Sequence, residues 1–373
     1  MTRAGFRNAW RTRLLPCLSL ALVVVGVASC GSSNSSSSGS GSSSSGSGGT
    51  KTIKVGIVVI GPVNDHAYSQ QNYDGILKAI KDTANGPVRI VKGGVIQNAD
   101  TPQKQVDAFK TLAQSGNNVV ILGSAQFAPV ADQLADRYPN VYFIESAGLT
   151  AHFHKNVTSV EHDQGPAGFV AGVVQGKLTK SNVIGYVGSL QIPVDVVAQA
   201  GWTAGAKMVD PKVKVLAART GDFNDIGKAN DLATSELQQG ADQIYGFVDS
   251  GIVGVYKAGS ASGKNPGVVN ISGIGNTNGC QGQSYSNVVG NTLSNYTNIM
   301  HDALIKYAAG QLKPGAALLG LHTPQYMTFI PCNVSNSIKA TVKSTIAGIV
   351  SGKISVPSSA QLPKVSYPER NDL

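Results

Sequence analysis

The sequence predicts an α/β protein of two doubly wound parallel-sheet lobes joined by a hinge, behind an export signal and a flexible tether. Three observations predict it. From Thr50 onward, short apolar runs alternate with amphipathic stretches, the pattern of repeated β-α units that build parallel sheets with helices on both faces. The strand-like runs number about ten, which suits two sheets better than one. The 373 residues also exceed one average core.

The N-terminus precedes that body. An n-region bearing Arg3, Arg7, Arg11 and Arg13 leads into the apolar run 14–27, too short for a comfortable membrane-spanning helix. It ends Val27-Ala28-Ser29-Cys30, which resembles the bacterial lipobox. That resemblance implies removal of residues 1–29 and a lipid on Cys30, mooring the chain to the cell membrane on its outer side. Residues 31–50 are almost wholly Gly and Ser, a tether with few side chains to pack and an r.m.s. span of about 25 Å.

Composition bounds the partners. A hydrophobic content of 42% with 14% charged residues excludes wholesale disorder. The net charge of +9 overstates the basicity of the mature chain: without the four leader arginines, 26 of the 30 basic residues remain against 21 acidic ones, a net of +5. These are dispersed, with no Lys/Arg cluster interleaved with aromatics, so nucleic-acid binding has no support. Of the four cysteines, Cys17 leaves with the leader and Cys30 carries lipid. Cys280 and Cys332 remain as an even pair in an oxidising compartment and are expected to form a disulfide.

The first β-α unit, 54–81, holds the first candidate site. Val55–Ile60 reads as a buried strand, Gly61-Pro62 breaks it, and Asn64-Asp65 stands where a helix N-cap belongs. Asn64, Asp65, Tyr68 and Ser69 therefore lie at a strand's carboxyl end above a helix N-terminus, where open α/β sheets bind ligands. Asp65 as a plain cap and Tyr68 as its cover is the alternative. Further strand-like runs follow at 88–91, 118–122, 141–144, 157–160, 183–187, 213–217, 243–248, 268–271 and 326–330, with helix-like segments between most of them. An N-terminal lobe is expected over 52–165, with a return of about 291–335 comprising a helix at 291–309 and the 326–330 strand. A C-terminal lobe is expected over 166–290, and a C-terminal helix and tail over 336–373. Two lobes set their strand ends face to face, making the cleft between them the expected binding site, closed by hinge motion.

Several segments carry a family resemblance. Gly188-Ser-Leu-Gln-Ile-Pro-Val194 followed by Gln199-Ala-Gly-Trp-Thr-Ala-Gly205 resembles the G-G-x-x-I-P-V…E-A-G-F-x-A-G signature of the basic membrane protein family, purine-nucleoside-binding lipoproteins of ABC importers. Residues 55–75 are similar to its D-x-S-F-N opening, Gly221-Asp-Phe-Asn-Asp225 to its G-S-F-x-D turn, and Gln239-Gly-Ala-Asp242 to its Q-G-A-D strand entry. The likeness spans about 53–310. It implies a type I periplasmic-binding-protein fold, permease and ATPase partners on other chains, no cofactor, and a nucleoside in the cleft.

In that family two aromatic rings sandwich the base, and Tyr68 and Phe223 match their positions; Phe223 as a shield of the domain interface stays open. Asp65 matches a carboxylate that accepts hydrogen bonds from the ligand. Phe127 is counted with the ligand-binding set. The chain departs from the family where an acidic D-S-D loop is replaced by Asn276-Thr-Asn278, and where Asn295 falls at a family lysine. Both changes keep hydrogen-bond capacity but remove charge. Asp249, ending the 243–248 strand, is a possible substitute acceptor.

Catalytic and cofactor signals are weak. There is no G-x-S-x-G elbow and no P-loop, and Gly273-Ile-Gly-Asn-Thr-Asn-Gly279 is one residue too long for a dinucleotide fingerprint. His152, His154 and His162 lack metal-site spacing and read as surface loop histidines. An extracytoplasmic sensor for a sugar or other small polar metabolite shares every feature above, and an exported enzyme acting on nucleosides or sugars is the third reading.

Overall fold

The computed structural model describes residues 50–148, 150–263, 266–271, 280, 285–358, 370, 371 and 373. In chain order the elements are β1 (Lys51–Val59), α1 (Tyr68–Thr83), β2 (Val88–Ile96), α2 (Pro102–Gln114), β3 (Val119–Gly123), α3 (Ala128–Leu134), β4 (Tyr142–Ser146) and β5 (Val157–His162). After them come α4 (Gln164–Leu178), β6 (Val183–Gly188), α5 (Pro193–Val209), β7 (Lys214–Arg219), α6 (Ile226–Gln238), β8 (Gln243–Phe247), α7 (Ile252–Ala261) and β9 (Gly267–Ile271). The chain ends through β10 (Val288–Ser294), α8 (Tyr296–Ala308), β11 (Gly315–Leu319), β12 (Met327–Pro331), α9 (Asn336–Val350) and the short β13 (Arg370–Asn371).

Among the described residues the strands make two sheets, ordered β13-β11-β5-β4-β3-β1-β2 and β12-β10-β9-β8-β6-β7. Every pairing is parallel except β10 with β12. Period-two alternation along β1 explains how one strand serves two cores. Ile53, Val55, Ile57 and Val59 face α1 and α8, while Val58 joins the α2–α3 side. The second sheet is likewise covered on both faces, by α4, α5 and α9 on one and by α6 and α7 on the other.

The return to the first sheet differs from expectation. The stretch read as one helix from Asn291 begins as strand: β10 pairs with β9, and the helix starts only at Tyr296, where the Asn295 side chain caps it by accepting from the Asn298 N–H at 3.0 Å. Asx capping outweighs the helical spacing read upstream of it. The strand expected at 326–330 forms as β12 but belongs to the second sheet, antiparallel to β10. What the first sheet receives is α8 and the unforeseen β11, which pairs with β5.

The chain thus crosses between lobes at Asp163–Gln164, at Ser294–Asn295 and between β11 and β12. Backbone bonds lace these crossings: the Asp163 N–H donates to Leu319 O at 2.7 Å and the Asn295 N–H to Tyr326 O at 2.7 Å. Cys280 and Cys332 are joined by a disulfide, with Cα atoms 5.6 Å apart. None of the helices among the described residues is long and apolar enough to cross a membrane.

Candidate functional site

Strand order reverses between β1 and β3 in the first sheet and between β6 and β8 in the second. Such switch points open a crevice at the strands' carboxyl ends. The two crevices face each other across one cleft of about 640 Å³, counting its open mouth.

From the first lobe the cleft receives Ile60 and Tyr68 after β1, Ser124 and Gln126 after β3, and Ala147 after β4. Asp65 sets the start of α1. Its carboxylate accepts from the backbone N–H groups of Ala67 (2.9 Å), Ser69 (3.0 Å) and Gln70 (3.0 Å). Tyr68 is thereby aimed, and its hydroxyl donates to the Ser146 carbonyl at 2.9 Å while lying 2.9 Å from the Ser146 hydroxyl. Its ring meets Tyr296 edge-on, centroids 4.5 Å apart, and Tyr296 in turn meets the buried His162 at 4.4 Å.

From the second lobe come Ile192 and Val194 on either side of Pro193, Phe223 after β7, Phe247 and Asp249 at the end of β8, and Ile271 at the end of β9. The carbonyl of Phe223 accepts from the N–H groups of Asp249 (2.9 Å) and Gly251 (3.1 Å), so the two turns carrying the ring and the carboxyl are one unit. Asp195 holds the Ile192–Val194 turn in place. Buried, it accepts from Ser189 N–H (2.9 Å) and from Arg219 (2.6 Å). Gln164, Ser294 and Tyr296 complete the lining at the crossings.

Electrostatically the cleft is apolar with one acid in its wall. No lysine or arginine is among the described lining residues. Burial pushes the Asp249 carboxyl up to about 7, helped by the neighbouring Asp65 carboxylate and opposed by the Tyr68 N–H, which donates to it at a long 3.4 Å. That last contact joins the lobes. Behind Tyr296, burial pushes the Glu161 carboxyl well above its usual range and lowers His162 to about 4, so the histidine is neutral.

Of the residues expected at the site, Tyr68, Phe223 and Asp249 are brought together in the cleft lining. The others lie elsewhere. Asn64 is exposed in the turn before α1, Asp65 binds first-turn N–H groups of α1, Asn295 caps α8, and Ser69 is buried in the first turn of α1. Phe127 is fully buried in the core between α2 and α3, because the short helical turn at Ala125–Phe127 rotates it away from the cleft. Asn276 and Cys30 lie outside the described residues. The histidine reading needs correction. His152 is exposed, but His154 is buried within 3.1 Å of Asp132 and 3.0 Å of Asp136, and His162 is fully buried. Among the described residues no three metal-binding side chains are grouped to hold an ion.

Sequence reasoning missed Gln164, Ser294, Ile192 and Val194. A usable signal existed for the last two: they flank the proline of the I-P-V block, which starts a helix after a switch-point strand. Gln164 and Ser294 gave none, since their place depends on which strands cross between sheets.

Comparison with known proteins agrees with this architecture. A family model described as ABC transporter substrate-binding protein, PnrA-like, matches residues 52–359. The ABC transporter nucleoside-binding protein BmpA of Lactococcus lactis is 25% identical over 316 residues, covering 79% of this chain and 86% of that protein. Basic membrane protein D of Borreliella burgdorferi is 24% identical over 323 residues, covering 84% and 89%. Among solved structures, an ABC transporter solute-binding protein of Aeropyrum pernix superposes with a TM-score of 0.68 at 16% identity, covering 81% of this chain and 92% of that one.

Proposed function

We propose, from the premise that the chain belongs to the PnrA-like family of ABC transporter substrate-binding proteins, that its cleft holds an uncharged nucleoside or nucleoside-like molecule and presents it to a separate permease and ATPase. The observation that carries this reading is the pair Tyr68 and Phe223, one aromatic ring from each lobe on one apolar cleft. A flat polarizable base gains from two π faces, about 1–3 kcal/mol for each stacked contact. Asp249 supplies the acceptor for donors on the base or sugar. The absence of a cationic side chain from the described lining disfavours a phosphorylated guest, whose charge would face a carboxyl in a poorly solvated wall. The L. lactis relative, named as nucleoside-binding, points to the same class.

The chain acts by binding rather than turnover, outside the cytoplasmic membrane and tethered through a lipid on Cys30. Calorimetry with adenosine, guanosine, inosine, cytidine, free bases and sugars tests the ligand class. One-to-one binding of a nucleoside with thermal stabilisation and no product is expected. Tyr68→Ala and Phe223→Ala should each weaken it by about 5- to 150-fold, the equivalent of 1–3 kcal/mol. Unchanged affinity in both variants, or product formation, refutes the reading. Cys30→Ser should release the protein from membranes into the soluble fraction.

A further inference from the structure

The chain does not finish in the lobe that holds its last helix. α9 packs on the second lobe through Ile338 and Val342, in one core with residues of α4 and α5. Beyond it Gly352, at φ 74°, supplies the left-handed turn that closes a helix. The Ile354 N–H donates to Gly348 O at 3.0 Å and folds the chain back against the helix end. Pro357 then favours an extended path, since its ring locks φ and keeps Val356 out of the helical region.

That path runs over the first lobe crossing. The Ser358 hydroxyl donates to the carboxylate of Asp163, and a Cβ on Gly165 would strike the Pro357 carbonyl. Asp163 is the crossing residue itself, buried, with its N–H held by Leu319 O at the end of β11. Farther on, β13 adds a strand to the first sheet, with Arg370 opposite Ala316 and Asn371 opposite Ala317, and Leu373 packs against the first lobe's core. Whatever route residues 359–369 take, the chain leaves α9 in one lobe and is paired in the other.

We infer that the C-terminal segment is a strap: it joins the lobes a fourth time and, seated on Asp163 and Gly165, holds the hinge in the setting where the Tyr68 N–H of one lobe reaches Asp249 of the other. Lobes that close on a guest bend at a few residues of their crossings. Opening turns α4 away from β5, and both strap contacts sit on that joint, so opening has to break them. A strap that raises the closed fraction tightens binding without touching the guest, because the apparent dissociation constant scales inversely with that fraction.

Amide hydrogen exchange of the full chain without guest tests the strap, read at the Asp163 and Asn295 N–H groups that lace the crossings. Ser358→Ala should speed their exchange by about fivefold, the effect of one modest hydrogen bond on a local opening. Arg370→Pro with Asn371→Pro removes both N–H groups of β13 and should do the same from the far end of the strap. Ser358→Thr keeps the hydroxyl and should exchange at the wild-type rate. In all three, the core amides of β1 and β8 should keep their wild-type protection. Unchanged hinge exchange in either weakened variant overturns the inference, because a strap needs both anchors. Equal acceleration of hinge and core amides overturns it too, since that is plain loss of stability. The readout needs no guest, so its outcome stands apart from that of the nucleoside proposal.

Discussion

Asp249 shows how a single side chain can be assigned in sequence yet acquire its chemistry only in the fold. Its place at the end of a strand marked it as an acceptor, but its titration follows from burial beside Asp65 at the α1 N-terminus. With that carboxyl lifted to about 7, the ionised acceptor is depleted as pH falls through neutrality. A guest whose donors need the carboxylate should bind with constant affinity above about pH 8 and lose up to about tenfold per unit well below pH 7. Calorimetry between pH 5.5 and 8.5 checks this, and Asp249→Asn should bind more weakly with a flat profile. A wild-type profile as flat as the variant's would exclude Asp249 from the contact. Tyr68 was legible from its place after the first strand, whereas Phe223 was reached only through the resemblance of Gly221–Asp225 to a family turn. Phe127 was not legible, because one short helical turn decides whether such a ring faces the cleft or the core. Gln164 was invisible for a different reason: its partner, Ser294, is 130 residues away and meets it only through the lobe crossings.

At the scale of elements, the most specific sequence block turns out to be a packing device as well as a site wall. Ala200-Gly201-Trp202-Thr203-Ala204-Gly205 lies along α5, where a Cβ on Gly201 would strike the Gly165 carbonyl and one on Gly205 the Phe169 carbonyl. From the facing helix, a Cβ on Gly172 would strike the Trp202 carbonyl. The backbones of α4 and α5 therefore touch, and Trp202 is locked by donating from Nε1 to Gln175 Oε1 at 2.7 Å. Gln175 in turn donates to Ile244 O at 2.8 Å, fastening the helix pair to β8. This positions Gln164 and the Ile192–Val194 turn, which begin the two helices. Gly172→Ala should push the pair apart and destabilise the protein by about 1–3 kcal/mol in denaturant titration. Gly227→Ala in α6, where an added Cβ meets only the Asp225 side chain at an ordinary 3.5 Å, should be neutral or slightly stabilising. The β10 segment was misread at this same scale. Its Val-Val-Gly-Asn-Thr-Leu-Ser sequence has no strong local period, and only pairing with β9 and β12 makes it a strand.

Across the whole molecule, the two-lobe plan was legible because a long β-α alternation leaves few topologies, whereas the destination of the last strands was not. Whether β11 or β12 returns to the first sheet depends on which edge is free, a property of the assembled sheets rather than of either segment. The same assembly buries a carboxyl in each lobe. Glu145 in the first accepts from the Ser159 hydroxyl at 2.6 Å, and Glu236 in the second packs under β6; burial lifts both to about 8. Their unfolded values lie near 4.5, so between there and 8 the folded chain holds protons that the unfolded chain has released. Stability from these groups is thus fully present below about pH 4.5 and is lost as pH rises through 8, with a slope of up to about 1.4 kcal/mol per pH unit for each group. Urea titrations at pH 6 and pH 9 should show the protein weaker at the higher pH. Glu236→Gln and Glu145→Gln should each shrink the difference, and the double variant should shrink it further, leaving the remainder that the raised Glu161 and Asp249 carboxyls contribute. A pH 6 to 9 difference as large in the double variant as in the wild type would mean that these two carboxyls are already ionised in the folded lobes.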